Sequence, residues 1–137
     1  ERRDNGDAEK GILDGAPLSF PALNQSQEYQ DRAARVGFDW PEIDGVLDKL
    51  MEEIEEIRKA KNGKELASEI GDLFFVLVNF ARWQGVDAES ALRGANMRFK
   101  GRFVYIEKYA RENDFPMTEM TLDEMEELWQ EAKRAGL

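Results

Sequence analysis

Two short groups of acidic residues draw attention first, because their spacing places them on helix faces. One lies within "EEIEE" (residues 52–56), and the other consists of Glu69 and Asp72, directly before the apolar segment "LFFVLVNF". At about 100° per residue, Glu53 and Glu56 lie together on one flank of an apolar helix stripe, and Glu69 and Asp72 share one face of the next helix. Like charges at this spacing repel each other, so both pairs require an explanation.

A metal site would explain both pairs. The segment "KNGK" between the two groups can join two helices in an antiparallel hairpin, which lets the two pairs of carboxylates face each other. Four convergent carboxylates without histidine provide hard oxygen ligands, which suit Mg²⁺ and, as an alternative, Mn²⁺. An ordinary solvated acidic surface is the competing interpretation, because glutamate is a good helix former.

The rest of the composition limits the chemistry. The 137 residues contain no histidine and no cysteine, which excludes imidazole acid–base catalysis, thiol nucleophiles, disulfides and zinc–thiolate sites. A formal net charge of −10 argues against nucleic acid as a partner, but not against a small anionic substrate carried on metal ions. The sequence shows no membrane-spanning stretch and no secretory signal, and it begins at Glu1 rather than at methionine. We therefore expect a cytoplasmic protein with no membrane partner.

Apolar periodicity predicts an all-α fold, a helical bundle of four main helices plus a short N-terminal helix. Residues 1–26 are rich in turn-forming residues and are predicted to form an extended arm or linker. Residues 27–137 are predicted to form a single domain. The predicted helices span Ser26 to Val36, Glu42 to Asn62, Lys64 to Gln84, Asp87 to Asn113, and a last helix that begins at Thr121.

Local signals predict how these helices begin and end. Pro41 suits the first turn of the second helix, and Gly63 is expected to end that helix. Thr121 and Glu124 have the spacing of a capping box. Gly71, inside the third helix, costs about 1 kcal/mol of helix stability relative to alanine. We therefore expect another helix to pack closely against Gly71.

The segment "LFFVLVNF" also predicts the oligomeric state. A helix that is apolar on all sides is normally surrounded by protein. A chain of 137 residues can hardly surround such a helix alone, so we expect a homodimer.

The acidic pattern, Glu52-Glu53-x-x-Glu56 followed by Glu69-x-x-Asp72, resembles the EExxE…ExxD signature of the all-α nucleoside triphosphate pyrophosphohydrolases. The segments "LDGAPLSFPAL", "RAARVGFDWPE", "GDLFFVLVNFAR", "GVDAESALRGANMRF" and "MEELWQEAKR" resemble the C-terminal domain of the MazG family, in the same order and over nearly the whole chain. The resemblance implies a homodimer that uses Mg²⁺ to hydrolyse a nucleoside triphosphate to the monophosphate and pyrophosphate.

The resemblance also implies roles for individual residues. It makes Glu53, Glu56, Glu69 and Asp72 the metal ligands, and it places Lys49 and Glu52 in the substrate-binding segment. Water attacks the α-phosphorus in this chemistry, with Glu52 as the candidate for taking the proton. The basic and aromatic residues implied to contact the nucleotide are Arg98, Arg102 and Trp129.

Other interpretations stay open from the residues alone. Arg98 and Arg102, at i and i+4, suit phosphate binding, but they also suit a solvated basic face. Trp129 suits stacking on a base or packing of the last helix. Enzymes specific for dUTP or phosphoribosyl-ATP are alternatives within the superfamily. Outside enzymes, the alternatives are a nucleotide-binding regulatory module and a structural helical dimer without turnover.

Overall fold

The computed structural model describes residues 11–137, and the regular secondary structure in this range is entirely helical. The predicted all-α fold is thereby confirmed. Residues 1–10, part of the predicted arm, lie outside the described residues. Within residues 11–137 the α-helices are α1 (Ala22–Arg35), α2 (Ile43–Lys59), α3 (Gly63–Trp83), α4 (Ala88–Glu112) and α5 (Leu122–Arg134), and a 3₁₀ turn spans Met117–Glu119.

The chain divides into two compact units, the first ending at Glu89 and the second running from Ser90 to Leu137. In the first unit, α2 packs along α3 as a helical hairpin, and α1 packs against α3. The division predicted from the sequence, an arm over 1–26 and one domain over 27–137, stays a prediction.

The turn of the hairpin corrects the expected role of Gly63. This glycine is the first residue of α3 rather than the end of α2, which already ends at Lys59. Asn62 caps α3, because its Oδ1 accepts a hydrogen bond from the Glu65 backbone N–H at 2.8 Å. The Glu65 carboxylate in turn accepts from the Lys61 backbone N–H at 2.8 Å. The asparagine cap, and not the glycine, therefore determines where the second arm of the hairpin begins.

The first helix begins earlier than predicted. It starts at Ala22, with Pro21 at the N-cap, rather than at Ser26. Proline fits a helix start because it has no N–H that the first turn would leave unpaired. Ser26 lies inside the helix, where its Oγ accepts a hydrogen bond from Gln30 Nε2 at 3.1 Å.

The segment between α1 and α2 folds back onto the start of α2. A Cβ added to Gly45 would lie 2.8 Å from the Trp40 ring, so the indole lies directly on the glycine backbone. Helix α2 begins at Ile43 with Glu42 as its N-cap. Pro41 therefore precedes the helix, contrary to the prediction that it forms part of the first turn.

The second unit has its own small core. The predicted capping box at Thr121 is confirmed, because Thr121 Oγ1 accepts from the Glu124 N–H at 3.1 Å and Glu124 Oε1 accepts from the Thr121 N–H at 2.8 Å. The cap starts α5, which packs on the C-terminal part of α4. The buried core residues are Ile106, Ala110, Met120 and Leu128.

The hairpin leaves an apolar surface exposed in the described chain. Leu47 and Ile54 of α2 and Ile70 and Phe74 of α3 belong to it, with Phe74 exposed to 55%. Nothing in the described chain lies within 4 Å of a Cβ added to Gly71. Among residues 11–137, therefore, no helix makes the close approach expected at Gly71.

Candidate functional site

The helical hairpin brings three carboxylates together. One oxygen each from Glu53 on α2 and from Glu69 and Asp72 on α3 lies within 4.8 Å of the other two. The i,i+3 spacing places both α3 acids on the side of the helix that faces Glu53. The sequence prediction that acids from both helices face each other is realised in these three residues.

Glu53 lies deeper than its place in the sequence pattern indicates. Its exposure is 5%, whereas the apolar neighbours Leu47 and Ile54 are 39% and 43% exposed. The fully buried position on α2 is Val46, which precedes Glu53 by seven residues, or two turns. The buried positions Val46 and Glu53 are therefore rotated by about 70° from the centre of the apolar stripe. Glu53 lies within the hairpin contact and not at its edge.

The two oxygens of Glu53 have different surroundings. Glu53 Oε2 accepts an ion-pair contact from Lys49 Nζ at 3.1 Å. Glu53 Oε1 is buried and has no hydrogen-bond partner. Lys49 Nζ also contacts Glu52 Oε1 at 2.6 Å. The hydrogen bonds to Glu52 and Glu53, in that order of size, raise the pKa of Lys49 above its ordinary value.

The carboxylates disturb each other electrostatically. Loss of hydration, a hydrogen bond with Glu53, and the negative charges of Glu53, Glu56 and Asp72 raise the pKa of Glu69. The protonated form is favoured because the like charges destabilise the ionised one. Glu56 contributes this charge from an exposed position, and its oxygens are not among the three that converge.

These residues fit a divalent metal ion. A buried carboxylate oxygen without a donor is costly unless a cation or a hydrogen bond satisfies it. Glu53 Oε1 is such an atom, and the Glu53 carboxylate converges with those of Glu69 and Asp72. An all-oxygen donor set of this kind suits Mg²⁺ or Mn²⁺ better than zinc or copper.

A cavity of about 670 Å³ lies between α1, the segment that follows it, and α3. Gln30 at its wall donates from Nε2 to Ser26 Oγ and to the Phe75 carbonyl, both at 3.1 Å, while its buried Oε1 has no partner. The cavity is lined by Leu13, Tyr29, Gln30, Ala33, Phe38, Asp39, Trp40, Pro41, Phe75, Asn79 and Arg82.

The cavity and the carboxylate cluster share one face of α3. Asn79 lines the cavity and is seven residues beyond Asp72, a distance of about 10 Å along the helix. Val76, between them, is buried. The sequence analysis missed Gln30, because the same helix carries the amides Asn24, Gln25 and Gln27 and the sequence does not distinguish Gln30 from them.

Two of the three predicted nucleotide-binding residues of the second unit, Arg102 and Trp129, contact each other. The Arg102 guanidinium lies 5.3 Å from the centre of the Trp129 ring, and its Nε donates to the Leu137 carbonyl at 3.0 Å. Trp129 also packs against Phe99, with ring centres 5.5 Å apart. Arg98 is exposed. Their assignment to the nucleotide stays a prediction, as does the assignment of Lys49 and Glu52 to substrate binding.

Membrane insertion has no support in the helices described. None of them between residues 11 and 137 combines the length and the apolar character that crossing a bilayer requires.

Comparison with known proteins gives the family. Residues 21–99, which include the whole hairpin, match the phosphoribosyl-ATP pyrophosphohydrolase family. The chain belongs to this family. It is also 42% identical over 132 residues to the nucleoside triphosphate pyrophosphohydrolase of Escherichia coli K12, covering 93% of this chain and 50% of that protein.

Two further relatives extend the comparison. The nucleoside triphosphate pyrophosphohydrolase/pyrophosphatase MazG of Thermotoga maritima is 40% identical over 113 residues, which are 82% of this chain and 44% of that protein. The uncharacterized protein YabN of Bacillus subtilis is 36% identical over 137 residues, covering 97% of this chain and 28% of YabN. The resemblance to MazG proteins is confirmed, and this chain spans half or less of the length of each of these relatives.

Proposed function

We propose that this domain hydrolyses nucleoside triphosphates to the nucleoside monophosphate and pyrophosphate, with Mg²⁺ as its cofactor and Mn²⁺ as an alternative. The observation that carries the proposal is the buried Glu53 carboxylate, which converges with Glu69 and Asp72 and has one oxygen without a hydrogen-bond partner. The names of two relatives, both nucleoside triphosphate pyrophosphohydrolases, support the same reaction.

In this proposal Glu53, Glu69 and Asp72 hold the metal, and Glu56 contributes from the exposed edge of the cluster. When bound, a divalent ion neutralises charge on the triphosphate and acidifies water for attack at the α-phosphorus. Glu52 is exposed beside the cluster and is the candidate acceptor for the proton of that water. Lys49, next to it, is placed to bind a phosphate oxygen.

We propose the aromatic cavity as the place of the nucleobase. Three observations support this assignment: the aromatic lining, the free acceptor on Gln30, and the position of Asn79 about two turns of α3 from Asp72. Both N–H groups of the Gln30 amide are engaged by Ser26 and Phe75. The orientation of the amide is thereby fixed, and its buried oxygen remains an acceptor without a donor at the wall of the cavity.

The homodimer and the cytoplasmic location belong to the same proposal. The exposed apolar surface on α2 and α3 supports a second copy of this chain as the partner. The net charge of −10 supports the expectation that nucleic acid is not a partner.

The test measures pyrophosphate release from a panel that includes the four common ribo- and deoxyribonucleoside triphosphates, dUTP and phosphoribosyl-ATP. Each is assayed with Mg²⁺, with Mn²⁺ and with EDTA. Asp72→Asn should abolish metal-dependent release, whereas Glu55→Gln, an exposed acid on α2, should retain it. Nucleotide binding without pyrophosphate release would instead identify a binding module, and neither binding nor release would indicate a structural helical dimer.

A further inference from the structure

Lys49 occupies a position that the proposed reaction does not fully explain. Its ammonium group contacts two carboxylates at once, Glu52 at 2.6 Å and the buried Glu53 at 3.1 Å. Its ion pair with Glu53 thus involves a member of the carboxylate cluster. Lys49 is partly exposed, with 36% of its side chain accessible, whereas the Glu53 side chain is 6% accessible.

The contact solves a problem of the metal-free protein. A carboxylate buried in a helical hairpin is costly when no charge compensates it. Glu69 and Asp72 are also carboxylates, and in their ionised form they add negative charge around Glu53 rather than compensating it. The Lys49 ammonium is the compensating charge, and it satisfies only one of the two Glu53 oxygens.

We propose that Lys49 is the built-in counter-ion of the metal-free site, which positions the Glu53 carboxylate and competes with the divalent ion for it. Glu52 gives the ammonium a second partner on the same helix. When Glu53 turns to a metal ion, Lys49 retains its hydrogen bond to Glu52 and does not become an isolated charge. This role rests on the proposed function, and it makes Lys49 a positioning residue for the metal site.

The proposal predicts opposite effects on two measurable quantities. Removing the ammonium leaves Glu53 uncompensated, so the metal-free protein becomes less stable. The same change removes a positive charge that repels the incoming cation, so Mg²⁺ binds more tightly. A lysine that acts only on substrate phosphates changes neither quantity, and a lysine with a purely structural role lowers stability without tightening Mg²⁺ binding.

The experiment compares Lys49→Met, Lys49→Arg and the control Lys59→Met, an exposed lysine in the last turn of α2. Without metal, Lys49→Met should melt about 5 °C below the wild type. Calorimetric titration with Mg²⁺ alone should give about three- to tenfold tighter binding to Lys49→Met. Saturating Mg²⁺ should remove most of the melting deficit, because the metal replaces the lost counter-ion. Lys49→Arg and Lys59→Met should behave like the wild type.

Unchanged or weaker Mg²⁺ binding by Lys49→Met, or a melting deficit that persists with saturating Mg²⁺, would overturn the counter-ion role. If Lys49→Met does not fold, Lys49→Gln keeps a hydrogen-bond donor without the charge and should show the same tightening. Pyrophosphate release by the wild type distinguishes failure of the Lys49 role from failure of the proposed function. If the wild type releases pyrophosphate but the variants bind Mg²⁺ with unchanged affinity, only the role of Lys49 is wrong. If the wild type neither binds Mg²⁺ nor releases pyrophosphate, the role of Lys49 and the proposed function are both wrong.

Discussion

At the scale of the residue, Glu53 shows how a proposed metal ligand departs from the usual packing of helices. A helix interface normally excludes an acid, yet Glu53 is 5% exposed two turns after the fully buried Val46. Periodicity identified Glu53 as a site residue but placed it on a flank, because the apolar stripe was assumed to be the packed face. A buried acid can be recognised only when the partner helix is known, since its neighbours on α2 do not determine which face packs.

The cluster makes a direct prediction for Asp72. Asp72→Asn keeps the shape of the side chain and removes one of the repelling charges, so without metal its melting temperature should equal or exceed that of the wild type. With Mg²⁺ at about one hundred times its dissociation constant, the wild type should gain about 2.7 kcal/mol and the variant clearly less. Melting curves in EDTA and in Mg²⁺ measure both effects.

Glu55→Gln is the matched control for Asp72→Asn, because Glu55 is exposed on α2 and outside the converging set. Its response to Mg²⁺ should follow that of the wild type. Equal Mg²⁺ stabilisation of the wild type and Asp72→Asn would favour a solvated acidic face over a metal site.

At the scale of the element, the turns proved harder to predict than the helices. The hairpin, the end of α3 before Gly85, and the capping box at Thr121 followed from sequence patterns. Gly63 was misassigned because glycine commonly ends a helix, whereas here the adjacent Asn62 forms a side-chain cap and the glycine becomes helical. An asparagine followed by a glycine is compatible with the end of one helix or with the start of the next. The packing of α2 on α3 selects the start of α3.

The cap of α3 is testable by itself. Asn62→Ala removes the acceptor for the Glu65 N–H and should lower the free energy of unfolding by about 1 kcal/mol. Urea denaturation measures the loss. Asn113→Ala, an exposed asparagine beyond the end of α4, is the comparison and should cost less. No difference between the two variants would mean that the cap does not stabilise the hairpin.

The segment between α1 and α2 is anchored to α3 by Asp39. Its carboxylate accepts hydrogen bonds from Arg82 and from Trp83 Nε1. Burial opposes ionisation, but the hydrogen bond and charge of Arg82 together with the Trp40 and Trp83 donors outweigh it and lower the pKa of Asp39 below its ordinary value of 3.8. Folding thus stabilises the ionised form, so the stability that Asp39 contributes at the cavity wall depends on pH.

Asp39→Asn should therefore lose about 1–3 kcal/mol of stability at neutral pH. The contribution of the ionised carboxylate is complete above about pH 4 and is lost as the pH falls through the lowered pKa, so the wild type and the variant should converge in acid. Denaturation at a series of pH values measures this difference. Asp48→Asn, an exposed acid on α2, should show no such convergence, and a difference that persists unchanged in acid would contradict the role of the ion pair.

At the scale of the whole molecule, the sequence predicted the helical class and the acids that converge, but not the cavity. The acids were predictable because two i,i+3 pairs on adjacent helices depend only on local geometry. The cavity depends on Gln30, Trp40 and Asn79, which are distant in sequence and meet only when α1 packs on α3. The exposed apolar side chains have a similar origin, since the segment "LFFVLVNF" indicates a helix that needs cover without showing which of its sides the rest of the chain leaves open.

The last prediction concerns that surface. Leu47, Ile54, Ile70 and Phe74 of the hairpin are all exposed, and exposed apolar patches are typical of interfaces. We expect the protein to sediment at micromolar concentration with twice the 15.8 kDa mass of the chain. Phe74→Glu should yield a monomer of lower stability, because it places a charge in the centre of the interface. Leu122→Glu, at a position 79% exposed in the second unit, should remain dimeric. A folded wild-type monomer at that concentration would contradict the dimer and leave the exposed Phe74 without a role.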